Sequence, residues 1–153
     1  MTLQILDPES PAARRLIELS DQYVAALYPS ESIHLESVQS LKEPNVHFVG
    51  VQIDDRLVAC GAVRVQRDDG TYGEIKRVFV QEEYRGKGYS RLIMQNLEQH
   101  LRQAGVKCAR LVTGAKQPEA LGLYRNLGYR DRQPFGAYAA GPSSVFMEKY
   151  IAA

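Results

Sequence analysis

The most constraining feature of this chain is an abrupt change of hydrophobic period near its middle. Residues 71–80, TYGEIKRVFV, are typical of a β-strand, and residues 88–104 follow with the spacing of an amphipathic helix. The apolar positions of that helix fall on one face: Tyr89, Leu92, Ile93, Leu97 and Leu101. Residues 108–113 then form another short apolar run. A strand, a helix and a strand in this order predict a β-α-β unit whose strands pair in parallel.

The flanking segments predict further elements on both sides of this unit. Strands are expected at residues 3–6, 47–53, 57–66 and 144–150, and helices at residues 11–27, about 32–41 and 118–127. The order β-α-α-β-β-β-α-β-α-β-β predicts an α/β fold. We expect a mixed, largely antiparallel central sheet of about 6–7 strands, flanked by about 4 helices.

Length and composition suit one ordinary domain over residues 1–153. The 19 basic and 18 acidic residues give no overall attraction to nucleic acid or to an anionic membrane. No apolar run approaches the roughly 20 residues of a membrane span, and the N-terminus lacks a secretory pattern. We therefore expect a cytoplasmic protein in which Cys60 and Cys108 are buried free thiols. No metal site is expected, because no metal-ligand spacing occurs.

The loop between the central strand and helix carries the clearest chemical signal. It reads Arg85-Gly86-Lys87-Gly88-Tyr89-Ser90 and opens directly into the helix. Helix N-termini present unpaired N–H groups and partial positive charge, and the glycines allow a ligand to approach the backbone. The loop therefore predicts a phosphate or pyrophosphate site. The loop fits neither a Walker A sequence nor a dinucleotide fingerprint.

The loop resembles the acetyl-CoA-binding motif Arg/Gln-x-x-Gly-x-Gly/Ala of the GCN5-related N-acetyltransferases, with Ser90 in the last position. The resemblance extends to residues 73–80, which are similar to the family's fourth strand, and to residues 120–129, which are similar to its late helix. Residues 28–35, 134–138 and 143–149 resemble a bacterial subgroup of small-molecule acetyltransferases. The family resemblance covers residues 45–150 and implies its fold and an acetyl-CoA cosubstrate.

The resemblance also implies the residues that hold the cosubstrate. The amides of residues 85–90 would hold the pyrophosphate of CoA, and the backbone of Phe79 and Val80 would pair with the pantetheine arm. That pairing would occur where the fourth and fifth strands separate. Many relatives have an asparagine after the fifth strand, whereas this chain offers Gln117 or Thr113 for that contact.

Two residues are the candidates for catalysis. The family often places a glutamate at the position of Glu74, which we expect to share a strand face with Lys76, Val78 and Val80. A carboxylate there can deprotonate an amine, directly or through a water. Tyr124 matches a tyrosine beside the departing sulfur, where its hydroxyl can donate to the CoA thiolate. The structural alternatives are an ion-paired strand glutamate and a core aromatic residue.

The acceptor substrate is expected to contact the N-terminal helices and the loop at residues 131–144. The candidate residues for substrate binding are Glu31, Ser32, His34, Arg64, Arg77 and Tyr138. His34 could act as a hydrogen-bonding group or a proton relay, and the two arginines could bind a carboxylate. A capping segment and paired surface charges are the structural alternatives for these residues.

These features together predict an N-acetyltransferase. We expect acetyl transfer from acetyl-CoA to a primary amine of a small molecule, such as an amino acid, by direct attack in a ternary complex. No cysteine stands at a position suited to an acyl-enzyme route. The alternatives are a protein or peptide N-acetyltransferase and a catalytically silent CoA-binding sensor. The identity of the amine stays open, and so does a homodimer formed through the last strand.

Overall fold

The computed structural model describes residues 1–28 and 36–151. Its strands are β1 (Thr2–Ile5), β2 (Val46–Ile53), β3 (Arg56–Gln66), β4 (Tyr72–Val80), β5 (Cys108–Gly114), β6 (Arg130–Arg132) and β7 (Ser144–Tyr150). Its helices are α1 (Pro11–Leu27), α2 (Val38–Leu41), α3 (Tyr89–Gln103) and α4 (Pro118–Asn126), with a 3-10 turn at Glu82–Tyr84. Within the described residues, the strands form one sheet in the order β1-β2-β3-β4-β5-β7-β6.

This architecture confirms the predicted fold class and the predicted order of elements. Helix α1 begins as expected, because Ser10 accepts a hydrogen bond from the amide of Ala13 and proline follows at the first position. The predicted start of the second helix, residues 32–35, lies outside the described residues. In its described part it begins at Val38, because Ser37 is extended and its side chain accepts from the amide of Ser40.

The sheet has a gap between β4 and β5. These parallel strands pair over only three positions, where Gly73, Glu74 and Ile75 face residues 109–111. Beyond Ile75 the strands separate, and among residues 1–28 and 36–151 β4 pairs only with β3 in this region. The backbone of β4 therefore meets open space along residues 76–80, on the side from which β5 has diverged.

A bulge in β4 accompanies this separation. The register between β3 and β4 shifts between Cys60 and Ala62, and Arg77 has a positive φ of 59°. The extra residue reverses the alternation of side chains beyond it. The expectation that Glu74 shares a face with Val78 and Val80 was therefore wrong. Val78 and Val80 pack with the α3 core, whereas Phe79 packs with α1.

The two faces of the sheet carry different chemistry. The apolar face is covered by α3, whose Ile93, Leu97 and Leu101 are fully buried against the sheet. The fit is close, because a Cβ on Gly73 would meet Leu101 at 2.4 Å. The ion-rich face lies under α1, α2 and residues 133–143, and carries Arg64, Glu74, Lys76 and Arg77. The first face forms the main core, and the second holds buried charges.

The remaining expectations concern thiols and membranes. Cys60 is buried, and Cys108 is only half-buried, so the expectation of two buried thiols was right for Cys60 alone. Burial raises the pKa of the Cys60 thiol to about 12, which keeps this group un-ionised. In the described part of the chain, no helix combines the length and apolarity that a membrane crossing requires.

Candidate active site

The glycine-rich loop has the conformation of an anion site. Gly86 and Gly88 have φ values of 78° and 85°, in the left-handed region that favours glycine. Gly88 is the N-cap of α3, so the amides of Tyr89 and Ser90 belong to the unpaired first turn. A Cβ on either glycine would meet nothing within 4 Å. The first turn therefore faces open space with its partial positive charge.

A cavity of about 590 Å³ extends from this loop into the gap between β4 and β5. This larger cavity brings together most of the residues predicted to hold CoA: Phe79, Val80, Arg85, Gly86, Gly88, Tyr89, Ser90 and Gln117. Lys87 is the exception, because its ammonium lies over the ring of Tyr84, 5.6 Å from the centroid, outside the cavity lining. Lys87 can therefore contribute charge at the rim of the cavity.

The backbone of Val80 faces this cavity. The amide of Gln81 donates to Val58 of β3, so by strand alternation the polar groups of Val80 point away from β3. The carbonyl of Val80 accepts a hydrogen bond of 2.9 Å from Nε of Arg85. The guanidinium also lies 4.8 Å from the ring centroid of Tyr23. Val80 thus offers a backbone acceptor inside the gap.

A smaller cavity of about 140 Å³ lies on the α1 side of the same gap. Helix α1 contributes Ser20, Tyr23 and Val24 to its wall, and β4 contributes Lys76 and Arg77. The two cavities share the following lining residues: Tyr23, Val78, Phe79, Gln117, Ala120 and Tyr124. The larger and smaller cavities therefore meet at one wall inside the gap.

Tyr124 of α4 lies at the wall that the two cavities share, and its phenol is an ionisable group. Its ring is buried and packs edge-on against Tyr129, with centroids 6.1 Å apart. Burial raises the pKa of the phenol to about 12, because the charged form is disfavoured there. The hydroxyl therefore remains a hydrogen-bond donor throughout the neutral range.

Glu74 is buried on the ion-rich face, with 3% of its surface exposed. Its Oε1 accepts from Nε2 of the Gln66 side chain at 3.3 Å, and its Oε2 accepts from the hydroxyl of Tyr138 at 2.5 Å. The ammonium of Lys76 lies 3.4 Å from Oε2. Glu74 is absent from the lining of both cavities, and Lys76 stands between it and the smaller one.

Glu36 completes this charged cluster from the segment before α2. Its carboxylate contacts Lys76 at 2.8 Å and Arg64 at 2.6 Å. Burial alone would raise the pKa of Glu36, but hydrogen bonds from Lys76 and Arg64 outweigh it and lower the pKa to about 2. Burial likewise opposes the charge on Lys76, but Glu74, Glu36 and Tyr138 together raise its pKa. Both groups are therefore ionised at neutral pH.

Comparison with known proteins agrees with this geometry. The acetyltransferase (GNAT) family model matches residues 12–129. This chain belongs to the GNAT family. A curated relative, the IAA acetyltransferase of Azospirillum brasilense, is 40% identical over 149 residues and covers 97% of both chains. The protein is accordingly an N-acetyltransferase.

Solved structures show the same fold. An acyl-CoA N-acyltransferase from Klebsiella pneumoniae has a TM-score of 0.83 at 29% identity, and the match covers 98% of this chain and 97% of the other. The PaiA N-acetyltransferase of Thermoplasma acidophilum, solved with coenzyme A, has a TM-score of 0.68 at 15% identity. That match covers 98% of this chain and 99% of the other.

In this GNAT fold, both arginines that were predicted to bind substrate contact other residues of the protein. Arg64 contacts Glu36, and its second terminal nitrogen lies 3.2 Å from Glu43. Arg64 lines neither cavity. Arg77 lines the smaller cavity but contacts Asp21 at 2.6 Å and donates to the carbonyl of Glu36. These contacts indicate that both side chains organise the ion-rich face.

The other predicted substrate residues divide into two groups. Tyr138 lines neither cavity, and its hydroxyl bonds with Glu74 and Lys76. Glu31, Ser32 and His34 lie outside the described residues, so their predicted contacts with substrate stay predictions.

Sequence reasoning missed Tyr28 of this GNAT protein. It follows the last turn of α1, lines the smaller cavity, and accepts from the amide of Lys116 at 3.1 Å. Its hydroxyl also donates to Oε1 of Gln117 at 3.2 Å, so it fixes a residue of the larger cavity. Its sequence signals were its position before Pro29, which marks the helix end, and its place in residues 28–35, which resemble a subgroup of small-molecule acetyltransferases. Its partners are 88 and 89 residues away, beyond any local pattern.

Proposed function

We propose that this protein transfers an acetyl group from acetyl-CoA to a primary amine of a small molecule, by direct attack in a ternary complex. The observation that carries the proposal is the meeting of the two cavities at Tyr124. Acetyl-CoA bound in the larger cavity and an amine bound in the smaller cavity would bring the thioester carbon and the amine nitrogen together at this shared wall. Direct attack needs such proximity and no covalent enzyme intermediate.

The larger cavity suits the donor. The first-turn amides of α3 would hold the pyrophosphate, with the left-handed Gly86 and Gly88 leaving space for it. The backbone of Val80 would pair with the pantetheine arm once Arg85 releases its carbonyl. The guanidinium of Arg85 would then be available to the phosphates. Gln117, held by Tyr28, would contribute a polar contact from the opposite side.

Glu74 would accept the proton that activates the amine. An alkylammonium cannot attack a thioester until it loses a proton. Because Glu74 lies behind Lys76, this proton would reach the carboxylate through a bridging water. The neutral nitrogen then attacks the thioester carbon, the C–N bond forms, and the C–S bond breaks. The nitrogen's second proton passes to the sulfur, which gives free CoA and an amide.

Tyr124 would stabilise the departing sulfur. Its phenol remains protonated because burial raises its pKa to about 12. A thiol is more acidic than this phenol, so a hydrogen bond to the thiolate is favoured over full proton transfer. The hydroxyl would thus stabilise negative charge that develops as the C–S bond breaks.

The size of the smaller cavity supports a small acceptor. A volume of about 140 Å³ suits a compact amine better than a peptide. The Azospirillum brasilense relative is named as an IAA acetyltransferase, which supports a small-molecule acceptor here too. We further propose that the chain acts in the cytoplasm as one domain.

Initial-rate kinetics tests the proposal. Purified protein is assayed for CoA release and, by mass spectrometry, for acetylated product with amines, amino acids and short peptides. We expect product from a small amine, with intersecting double-reciprocal lines when both substrates are varied. Parallel lines would contradict a ternary complex, and product from peptides alone would contradict a small acceptor.

A Tyr124→Phe variant tests the chemistry at the shared wall. We expect kcat to fall roughly tenfold to hundredfold, because one hydrogen bond to a charged group is lost in the transition state. Tyr129→Phe is the matched control, since it removes the hydroxyl of the neighbouring ring, which donates to Glu98 instead. Equal kcat values in the two variants would contradict a role for Tyr124. Tight acetyl-CoA binding without any product would favour a sensor.

A further inference from the structure

The strap, residues 133–143 between β6 and β7, folds over the ion-rich face. Phe135 anchors it, because its ring packs edge-on against Tyr72 at 5.4 Å and against Phe146 at 5.9 Å. Tyr138 joins the same cluster, with its ring 5.5 Å from Phe135. These aromatic contacts fix the position of the strap, and they bring the hydroxyl of Tyr138 to the charged cluster beneath.

The hydroxyl of Tyr138 lies between the carboxylate of Glu74 and the ammonium of Lys76, both on β4. It donates to Oε2 of Glu74 at 2.5 Å and accepts from Nζ of Lys76 at 2.8 Å. Burial, followed by the interaction with Glu74, raises the pKa of Tyr138 to about 12, so the donated proton stays on the phenol. A hydrogen bond given to a carboxylate stabilises its charged form.

We propose that Tyr138 is a positioning residue for Glu74. The proposal rests on the proposed function, in which the Glu74 carboxylate accepts the proton of the amine. Gln66 holds one carboxylate oxygen and Tyr138 holds the other, so the orientation of the carboxylate depends on the strap. Through Lys76, the same hydroxyl connects Glu74 with the lining of the smaller cavity. The strap therefore keeps the proton acceptor aligned with the acceptor site.

The charged and titratable neighbours of Glu74 define the environment in which the hydroxyl acts. Those that face it or stand opposite it in register are Lys76 and Tyr72 on β4, Arg64 on β3, Arg110 on β5, Glu36 before α2 and Tyr138 on the strap. Arg64 and Arg110 form ion pairs with other carboxylates, on Glu36 and Glu148. Tyr138 and Gln66 are the neighbours that donate to Glu74 through uncharged groups.

A Tyr138→Phe variant removes the hydroxyl and keeps the aromatic packing. We expect kcat to fall roughly tenfold to hundredfold, with an unchanged KM for acetyl-CoA. The KM for the amine should also stay unchanged, because Tyr138 orients the proton acceptor and lines neither cavity. Tyr72→Phe is the matched control, since its hydroxyl lies in the same cluster but donates to Asp68. That control should keep the wild-type kcat.

NMR of the free enzyme supplies a readout that needs no turnover. Glutamate carboxyl carbons are followed by ¹³C NMR at neutral pH, with Glu74→Gln to assign the Glu74 signal. We expect the chemical shift of this signal to change in Tyr138→Phe, which loses the hydrogen bond to Oε2, and to stay fixed in Tyr72→Phe. Equal chemical shifts in all three proteins would overturn the positioning role, as would a raised KM for the amine alone. Failure of the proposed function differs, because wild-type protein would then acetylate no amine.

Discussion

The two faces of β4 show how one strand serves both the stability and the chemistry of this enzyme. On the apolar face, Ile75 and Val80 belong to the hydrophobic core cluster that includes Ile93 and Leu97 of α3. On the ion-rich face, Glu74 and Lys76 lie under the strap in a connected set of ion pairs and hydrogen bonds. The bulge at Arg77 lies between Lys76 and Val78 and reverses the alternation of side chains beyond it.

The buried charges of the ion-rich face depend on the apolar face for their rigidity. A buried carboxylate is costly unless its donors are fixed. Glu74 is held by side chains from β3, β4 and the strap, all of which belong to or pack on the same sheet. We therefore expect substitutions on the ion-rich face to affect rate and pH dependence, and substitutions on the apolar face to affect unfolding.

The largest expected effect is that of Glu74→Gln. The amide is similar in shape but cannot accept the proton of the amine, so kcat/KM should fall by about 10²–10⁴-fold. Steady-state assays at saturating acetyl-CoA measure this, and calorimetry should give an unchanged Kd for acetyl-CoA. Activity within a factor of three of wild type would remove Glu74 from the mechanism.

Leu97→Ala tests the opposite face. Leu97 is fully buried in α3, and its truncation should lower the free energy of unfolding by about 2–5 kcal/mol through lost burial and a cavity. Urea denaturation gives this value, and kcat of the folded enzyme at low temperature should remain close to wild type. If instead kcat fell as far as in Glu74→Gln with stability retained, the division of roles between the faces would be wrong.

Glu36→Gln tests how the ion-rich face contributes to stability during acid unfolding. The pKa of Glu36 is lowered to about 2, below its ordinary 4.5. Its stabilising contribution is therefore complete above the unfolded-state pKa and is lost as pH falls through the folded-state value. We expect the variant to be about 1–3 kcal/mol less stable at pH 7, with a smaller loss of stability between pH 4.5 and 2. If the free energies of unfolding of wild type and variant fell equally between pH 4.5 and 2, this account would be wrong.

Lys87→Gln is expected to give the smallest change. The side chain lies at the rim of the larger cavity, where solvent and salt screen its charge. The KM for acetyl-CoA should rise by about two- to fivefold at low salt, and the difference should disappear at high salt. Lys42→Gln, which removes an exposed cation paired with Glu9, should leave this KM unchanged.

The sequence predicted the elements well because their signals are local. The change of period at residues 80–88 and the glycines of the loop mark the β-α-β unit and its anion site without reference to distant residues. The helix start at Ser10 and the left-handed Gly128 are equally local. The family resemblance then supplied the positions of Glu74 and Tyr124, which burial and periodicity alone do not distinguish from structural residues.

The details of the ion-rich face could not be predicted in the same way. Nothing in the residues around Arg77 marks a bulge, because arginine is not favoured at positive φ. The bond between Tyr138 and Glu74 joins positions 64 residues apart, and its formation depends on the packing of Phe135. Arginines such as Arg64 and Arg77 appeared available for substrate because their carboxylate and carbonyl partners come from distant segments.

The short pairing of β4 with β5 has a mechanical consequence. Three residue pairs join the half-sheet of β1 to β4 with the half-sheet of β5 to β7, so this seam resists separation less than the longer ladders on either side. A pantetheine arm bonded to Val80 would add strand-like hydrogen bonds beyond these three pairs. The bound arm would then hold the two half-sheets together. The backbone amides of both β4 and β5 should then exchange their hydrogens with solvent more slowly when acetyl-CoA is bound.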